Sequence, residues 1–231
     1  MSRLVSSLLA TVAVLALTCA ASAIWSDNFD SYAPGSINGQ GGWKGWDNTP
    51  AAAGIVTPDI FLSPPHSQEI TGPADSVREY SGYTSGLLEY NTMMFIPEDF
   101  TGETYFIMLN IYNDGGPYNW SIQHRFNSTD GKVYDDMGGG TWLPLITGRW
   151  VLLRNVIDLN NDVRTSFYDG QLLGTSAWKT GDESVLDVAA VDLFANGASP
   201  VYYDDMELIP EPGTIAVLAV GVGALLLRRR R

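Results

Sequence analysis

The chain has 231 residues and a formal charge of −13. With Arg3, Glu211 and the four terminal arginines set aside, residues 24–209 carry eight Lys and Arg against twenty-five Asp and Glu. The resulting charge of −17 excludes nucleic acid and anionic lipid surfaces as partners. Such a charge keeps an exported protein soluble, and a span of that length holds one domain with a sizeable core.

Residues 1–23 contain Arg3, an apolar run at 8–17, and Ala21-Ser22-Ala23, the small-residue form that a signal peptidase accepts. They read as a secretory signal cut after Ala23. Ala16-Leu17-Thr18 before Cys19 departs from a lipidation motif, so the mature chain is expected to lack cysteine altogether. A disulfide, a thiol nucleophile and a thiolate metal site are thereby excluded, and stability has to come from a core.

The exported part opens on WSDNFDSY at 25–32, then Ala33-Pro34-Gly35, then INGQGGWKGW at 37–46. Glycine at 39, 41, 42 and 45 rules out a helix and predicts tight loops from which Trp43 and Trp46 project, as a ligand platform or as a packed plug. Between the prolines of 50–65, Ile55-Val56 and Ile60-Phe61-Leu62 are short strand candidates. From 76 onward the pattern is regular. Strands are predicted at 76–80, 86–96, 104–112, 120–126, 132–134, 150–159, 163–168, 188–194 and 201–209, each β-branched or aromatic and bounded by Gly, Pro, Asn or Asp. Leu88, Tyr90, Thr92, Met94 and Ile96 alternate onto one face, with Glu89 and Asn91 on the other. Asn160-Asn161 and Asp169-Gly170 are predicted hairpin turns, the second leading to Gln171-Leu172-Leu173. The sum is an all-β antiparallel sandwich spanning 24–209.

Within that domain, Gly148-Arg149-Trp150-Val151-Leu152-Leu153 through Asp158-Leu159, then Ser166 on to Leu173, resemble the late hairpins of concanavalin A-like and laminin-G-like jelly rolls. Asp27-Asn28-Phe29-Asp30-Ser31-Tyr32 and Tyr202-Tyr203-Asp204-Asp205-Met206-Glu207-Leu208 resemble their first and last strands. The resemblance implies a jelly-roll β-sandwich in which those two strands lie side by side. It does not choose among sugar binding, glycan cleavage and adhesion.

Glycoside hydrolysis needs two carboxylates about 5 to 9 Å apart. The Glu-x-Asp-x-x-Glu strand that hydrolases of this fold commonly carry is absent, which leaves Asp205 with Glu207 as the candidate pair and a polar closing strand as the simpler reading. His66 and His124 lack metal-ligand spacing, and His124 alternates with Ile122 and Phe126. Calcium needs only oxygen ligands, and Asp27, Asp30 and Asp204 converge if the terminal strands are neighbours, near the seam where related jelly rolls hold a structural calcium; ordinary surface carboxylates are the alternative. Asp158 to Asp162 has Val163 where a calcium loop needs glycine, so it reads as a hairpin. Trp43, Trp46, Trp120 and Trp142 are the candidates for stacking on a sugar, against core filling for any one of them. Trp150 and Trp178 read as packed.

Residues 210–231 read as a membrane-directed tail. The thirteen residues 215–227 are only Ile, Ala, Val, Leu and Gly, a helix of about 20 Å against a hydrocarbon core of about 30 Å. Gly213 and Thr214, snorkelling arginine stems and local thinning reduce that deficit. Arg228, Arg229, Arg230 and Arg231 hold the end on the cytoplasmic side. Pro210-Glu211-Pro212, the apolar run and the arginine cluster together resemble the PEP-CTERM sorting signal of exopolysaccharide-making Gram-negative bacteria. That resemblance implies recognition and cleavage near Pro210-Glu211-Pro212 by exosortase, a membrane-embedded cysteine protease, in place of an uncleaved tail anchor. The expectation is an exported, non-enzymatic protein with signal peptidase and exosortase as processing partners. It is held at the inner membrane through 215–227 before processing and then placed in the envelope or extracellular matrix, with a structural or polysaccharide-binding role. A secreted glycan hydrolase and an uncleaved, tail-anchored adhesion protein are the alternatives.

Overall fold

A computed structural model of the chain describes residues 23–181 and 185–210. In chain order its strands are β1 (Trp25–Asp27), β2 (Gly35–Ser36), β3 (Trp43–Gly45), β4 (Ile55–Thr57), β5 (Ser67–Ile70), β6 (Asp75–Glu79), β7 (Leu87–Phe95) and β8 (Glu103–Ile111). There follow β9 (Asn119–Asn127), β10 (Lys132–Asp135), β11 (Thr141–Pro144), β12 (Trp150–Asp158), β13 (Val163–Tyr168), β14 (Gln171–Ser176), β15 (Ala190–Phe194) and β16 (Val201–Pro210). Short 3-10 turns at Trp46–Asn48, Pro50–Ala52 and Asp136–Gly138 are the helical elements among the described residues.

The strands build two antiparallel sheets packed as a sandwich. The first has nine strands in the order β14-β13-β12-β7-β16-β5-β4-β2, with β1 also paired to β16; the second has seven, β11-β10-β9-β8-β15-β6-β3. Period-two patterning fills the space between them, as a pleated strand requires. Leu88, Tyr90, Thr92 and Met94 of β7 and Ile96 just after it are all buried, against Phe106, Met108, Ile122, Phe126 and Leu193 of the second sheet. Terminal strands are neighbours as expected, with Trp25, Ser26 and Asp27 opposite Leu208, Glu207 and Met206.

One end of the core is polar. Arg164 of β13 makes a two-pronged ion pair with Asp135 of β10, both fully buried. Beside them the His124 ring bonds Asn155 at 3.0 Å, and Ser166 Oγ donates to Asn155 Oδ1 at 2.7 Å. Burial pushes His124 down to about 4, so it is neutral here. The backbone makes room for the carboxylate: a Cβ on Gly174 would lie 2.1 Å from Asp135 Oδ2.

Several local expectations change. Residues 60–62 are not a strand. Their backbone is turned to face other groups, with the Leu62 N–H on Asp204 and the Ile60 carbonyl accepting from Ser67 Oγ. The first hairpin closes over four residues, 159–162. Leu159 is buried, the Asn160 and Asn161 N–H groups cap Asp158 Oδ1, and positive φ falls on Asp162 at 56°. Asp169-Gly170 is the expected two-residue turn, with φ of 51° and 74° between paired Tyr168 and Gln171. The first strand, read over 27–32, runs over Trp25–Asp27, and β2, β3, β5 and β11 were not legible as strands.

In β16 the register slips between Asp204 and Glu207, and Asp205 has φ 44°. This bulge reverses the alternation, so Tyr203 points into the core while Glu207 faces out. Asp205 and Glu207 therefore do not share a regular strand face with Tyr203.

Pro210 closes β16 opposite Leu88. Ala21, Glu211, Pro212, the run 215–227 and Arg228, Arg229, Arg230 and Arg231 lie outside the described residues, as do the terminal helices expected there. No helix among the described residues is long and apolar enough to cross a membrane.

Candidate functional site

The outer face of the second sheet is apolar where a solvated face would be polar. Val77, Ile107, Leu109 and Ala190 point outward yet are buried, because Trp46, Tyr112, Tyr118 and Trp120 cover them. Trp46 sits in the 3-10 turn after β3 and Tyr118 in the loop before β9. Asp47, at φ 54°, ties the two together: its N–H donates to the Tyr112 hydroxyl at 3.0 Å, and its Oδ1 accepts from the Gly115 N–H at 2.9 Å and from the Tyr118 hydroxyl. Trp46 and Trp120 lie nearly parallel, 6.4 Å apart with 14° between planes, and Tyr118 packs 4.8 Å from Trp46.

Beside this cluster opens a cleft of about 480 Å³, lined by Trp46, Tyr118, Trp120, Tyr105, Phe194, Ile107, Gln123, Asp75 and Asp192. That volume suits a small ligand. Sheet register places the lining. Asp192 stands between Val77 on β6 and Ile107 on β8, and Phe194 between Asp75 and Tyr105. Tyr105 and Phe194 stack at 5.8 Å.

At the floor, Asp75 and Asp192 are diagonal neighbours on adjacent strands and hydrogen-bond to each other. Burial, and then the neighbouring Asp75 carboxyl, push Asp192 well above the carboxylate range; burial raises Asp75 too. Two carboxylates this close cannot both ionise, so the pair retains a proton. Each leaves its Oδ1 without a partner. The retained proton lies between the two carboxyls, so toward the cleft the pair offers acceptor oxygens beneath flat aromatic walls.

The predicted residues fall differently. Trp46 and Trp120 meet in the cleft. Trp43 does not project; it is 1 % exposed in β3, its indole N–H donating to Asp27 Oδ2 at 2.9 Å, because β3 pairs with β6 and turns the ring into the core. Trp142 is 52 % exposed on the edge strand β11, Trp178 is fully buried, and Trp150 is half-buried against Phe95.

Asp27, Asp30 and Asp204 do not form one cluster. Asp27 accepts from the Phe29 N–H, the Tyr32 hydroxyl and the Trp43 indole. Asp30 accepts from Asn28 and the His66 N–H, and Asp204 from the Leu62, Ser63 and Asp205 N–H groups. Burial raises Asp204 to about 6. Among the described residues no group of three or more acidic, histidine or cysteine side chains is placed to hold a metal. Asp205 and Glu207 border a separate depression of about 700 Å³ with Asn28, Tyr32, Asn91 and Met93.

Sequence reasoning missed Asp75, Asp192, Tyr105, Phe194 and Tyr118. One signal was available: Asp192 is the lone charge in Val188-Ala189-Ala190-Val191-Asp192-Leu193-Phe194, where a buried acid needs a reason.

No family model and no curated protein sequence matches the chain. Solved structures share its fold. A sialidase superposes with a TM-score of 0.56 at 11 % identity over 83 % of this chain, which spans only 19 % of that enzyme. The globular domain of T. cruzi calreticulin gives 0.55 at 9 % identity, covering 85 % of this chain and 94 % of that one. An endo-β-1,4-glucuronan lyase from the fungus Trichoderma reesei gives 0.52 at 13 % identity, covering 82 % and 96 %. At these identities the likeness is one of fold.

Proposed function

We propose that this protein is an exported, non-enzymatic glycan-binding β-sandwich, sorted to the envelope or exopolysaccharide layer through its C-terminal tail by exosortase. The observation that carries the glycan reading is the cleft: Trp46, Trp120, Tyr105 and Phe194 offer flat apolar faces for a pyranose ring, and Asp75 with Asp192 beneath them offers partners for its hydroxyls. Two of the fold relatives, the sialidase and the glucuronan lyase, are named for acting on carbohydrate. A charge of −17 on residues 24–209 favours a neutral glycan over an acidic one.

The same carboxyl pair favours a second reading, acid–base cleavage of the bound glycan. Against it, hydrogen-bonded carboxyls are closer than the roughly 5 Å or more that a two-carboxylate glycosidase uses to flank its bond. Titration of the mature protein with neutral β-glucan oligosaccharides tests the binding reading. Trp120→Ala and Trp46→Ala are expected to weaken binding about tenfold, or about 1.4 kcal/mol. Absence of binding to any neutral glycan would overturn it, and release of reducing ends that stops with Asp192→Asn would favour the enzyme.

A further inference from the structure

The cleft occupies only one end of a longer row. Strand register aligns Asp75, Phe194, Tyr105, Arg125, Tyr134 and Trp142 across β6, β15, β8, β9, β10 and β11 as successive pairs on the outer face. Beyond the cleft the row continues through Arg125 to two rings, Tyr134 and Trp142. The Arg125 guanidinium lies 4.4 Å over the Tyr134 ring, held there by Asp136 and Glu103. Lys132 stands 4.1 Å over the Trp142 ring and has no carboxylate partner among the described residues. Trp142, 52 % exposed, ends the row on the edge strand.

Resting on the reading of the cleft as a glycan site, the geometry points to an extended binding face for one polymer chain. The chain lies across the strands from the Tyr105–Phe194 stack to a distal subsite made by Trp142, Lys132 and Tyr134. The occupant is a neutral, β-linked hexose polymer. Tyr105 and Trp142 are three strand spacings apart, about 14 Å at roughly 4.8 Å each, which is beyond the reach of a ligand confined to the cleft. The apolar ring faces of such a chain match successive aromatic platforms. The cation of Lys132 faces polar groups along the chain, while a polyanion meets the repulsion of the acidic domain. Two connected sites make the distal contact effectively intramolecular, so affinity rises with chain length.

The test compares cellotriose with soluble hydroxyethyl cellulose on the full mature protein, by calorimetry and affinity electrophoresis. Wild type is expected to hold the polymer more tightly than cellotriose. Trp142→Ala is expected to weaken polymer binding about tenfold with cellotriose binding and Tm unchanged, and Trp142→Tyr to restore most of the loss. Polymer binding that is indifferent to Trp142→Ala overturns the distal subsite and leaves the cleft standing. Equal weakening of both probes also overturns it, because the residue then acts through the fold. If neither probe binds wild type, the cleft reading fails for β-glucans and the extension fails with it.

Discussion

Asp192 is the residue at which burial and electrostatics conflict most. A carboxyl 2 % exposed beside a second carboxyl is held in its protonated form, so its folded-state pKa lies above the ordinary value of 3.8. The folded state therefore binds the proton more tightly than the unfolded chain does. The stabilisation from that proton is complete below the ordinary carboxylate range and is lost as pH rises through the folded-state pKa. Asp192→Asn keeps the shape, donates to Asp75 permanently and has no proton to lose. In thermal unfolding followed from pH 4 to pH 8, the variant is expected to gain a few degrees over wild type toward the alkaline end and to show a flatter profile. Taking the difference between the two proteins cancels Asp204, which burial raises to about 6 with the same sign, and His124, which burial lowers to about 4 with the opposite sign. A variant less stable than wild type at pH 8 would show that the pair is ionised and held by other groups.

Among the elements, the β13–β14 hairpin shows how far local chemistry reaches. Its two turn residues both take positive φ, which matches the right-handed twist of the flanking strands. Nothing lies within 4 Å of a Cβ placed on Gly170, so the cost of a side chain there is purely backbone strain. Gly170→Ala is expected to lower stability by about 1 kcal/mol in chemical denaturation, with the cleft on the other sheet still binding normally. An unchanged midpoint would mean that the turn relaxes to another type. The β12–β13 connection is the expected hairpin with Asn160 and Asn161 at its centre, but it closes over four residues because Leu159 is drawn into the core, and its positive φ falls on Asp162.

On the scale of the molecule, β16 joins the domain to its proposed sorting tail. Pro210, the first residue of the Pro-Glu-Pro motif, is still paired with Leu88 at the end of a strand that lies between β7 and β5. A cut upstream of Pro210 would strip a central strand, so processing is expected to leave β16 whole. Intact mass spectrometry of the envelope fraction should find a species that begins at Ile24, ends at or after Pro210 and lacks the four terminal arginines. Recovery of the complete C-terminus would leave an anchor in place of a processed protein.

The sequence by itself determined the all-β class, most of the strands from β6 onward, the inward face of β7 and the Asp169-Gly170 turn. Each rests on local information: alternation with period two, turn residues with positive φ, or the pattern of a strand and its flanks. The site was less legible. Trp46 and Trp120 were found, since aromatic residues beside glycine-rich turns stand out; Trp43, three residues from Trp46, was misplaced because pairing with β6 turns its ring into the core. Asp75 and Asp192 became a pair only when β15 was laid between β6 and β8, and the row from Phe194 to Trp142 exists only in the strand order of the second sheet. Which side chains become diagonal neighbours depends on which strands are adjacent and in what register. That is decided by the packing of the whole core, and residues far apart in the chain carry no local trace of it.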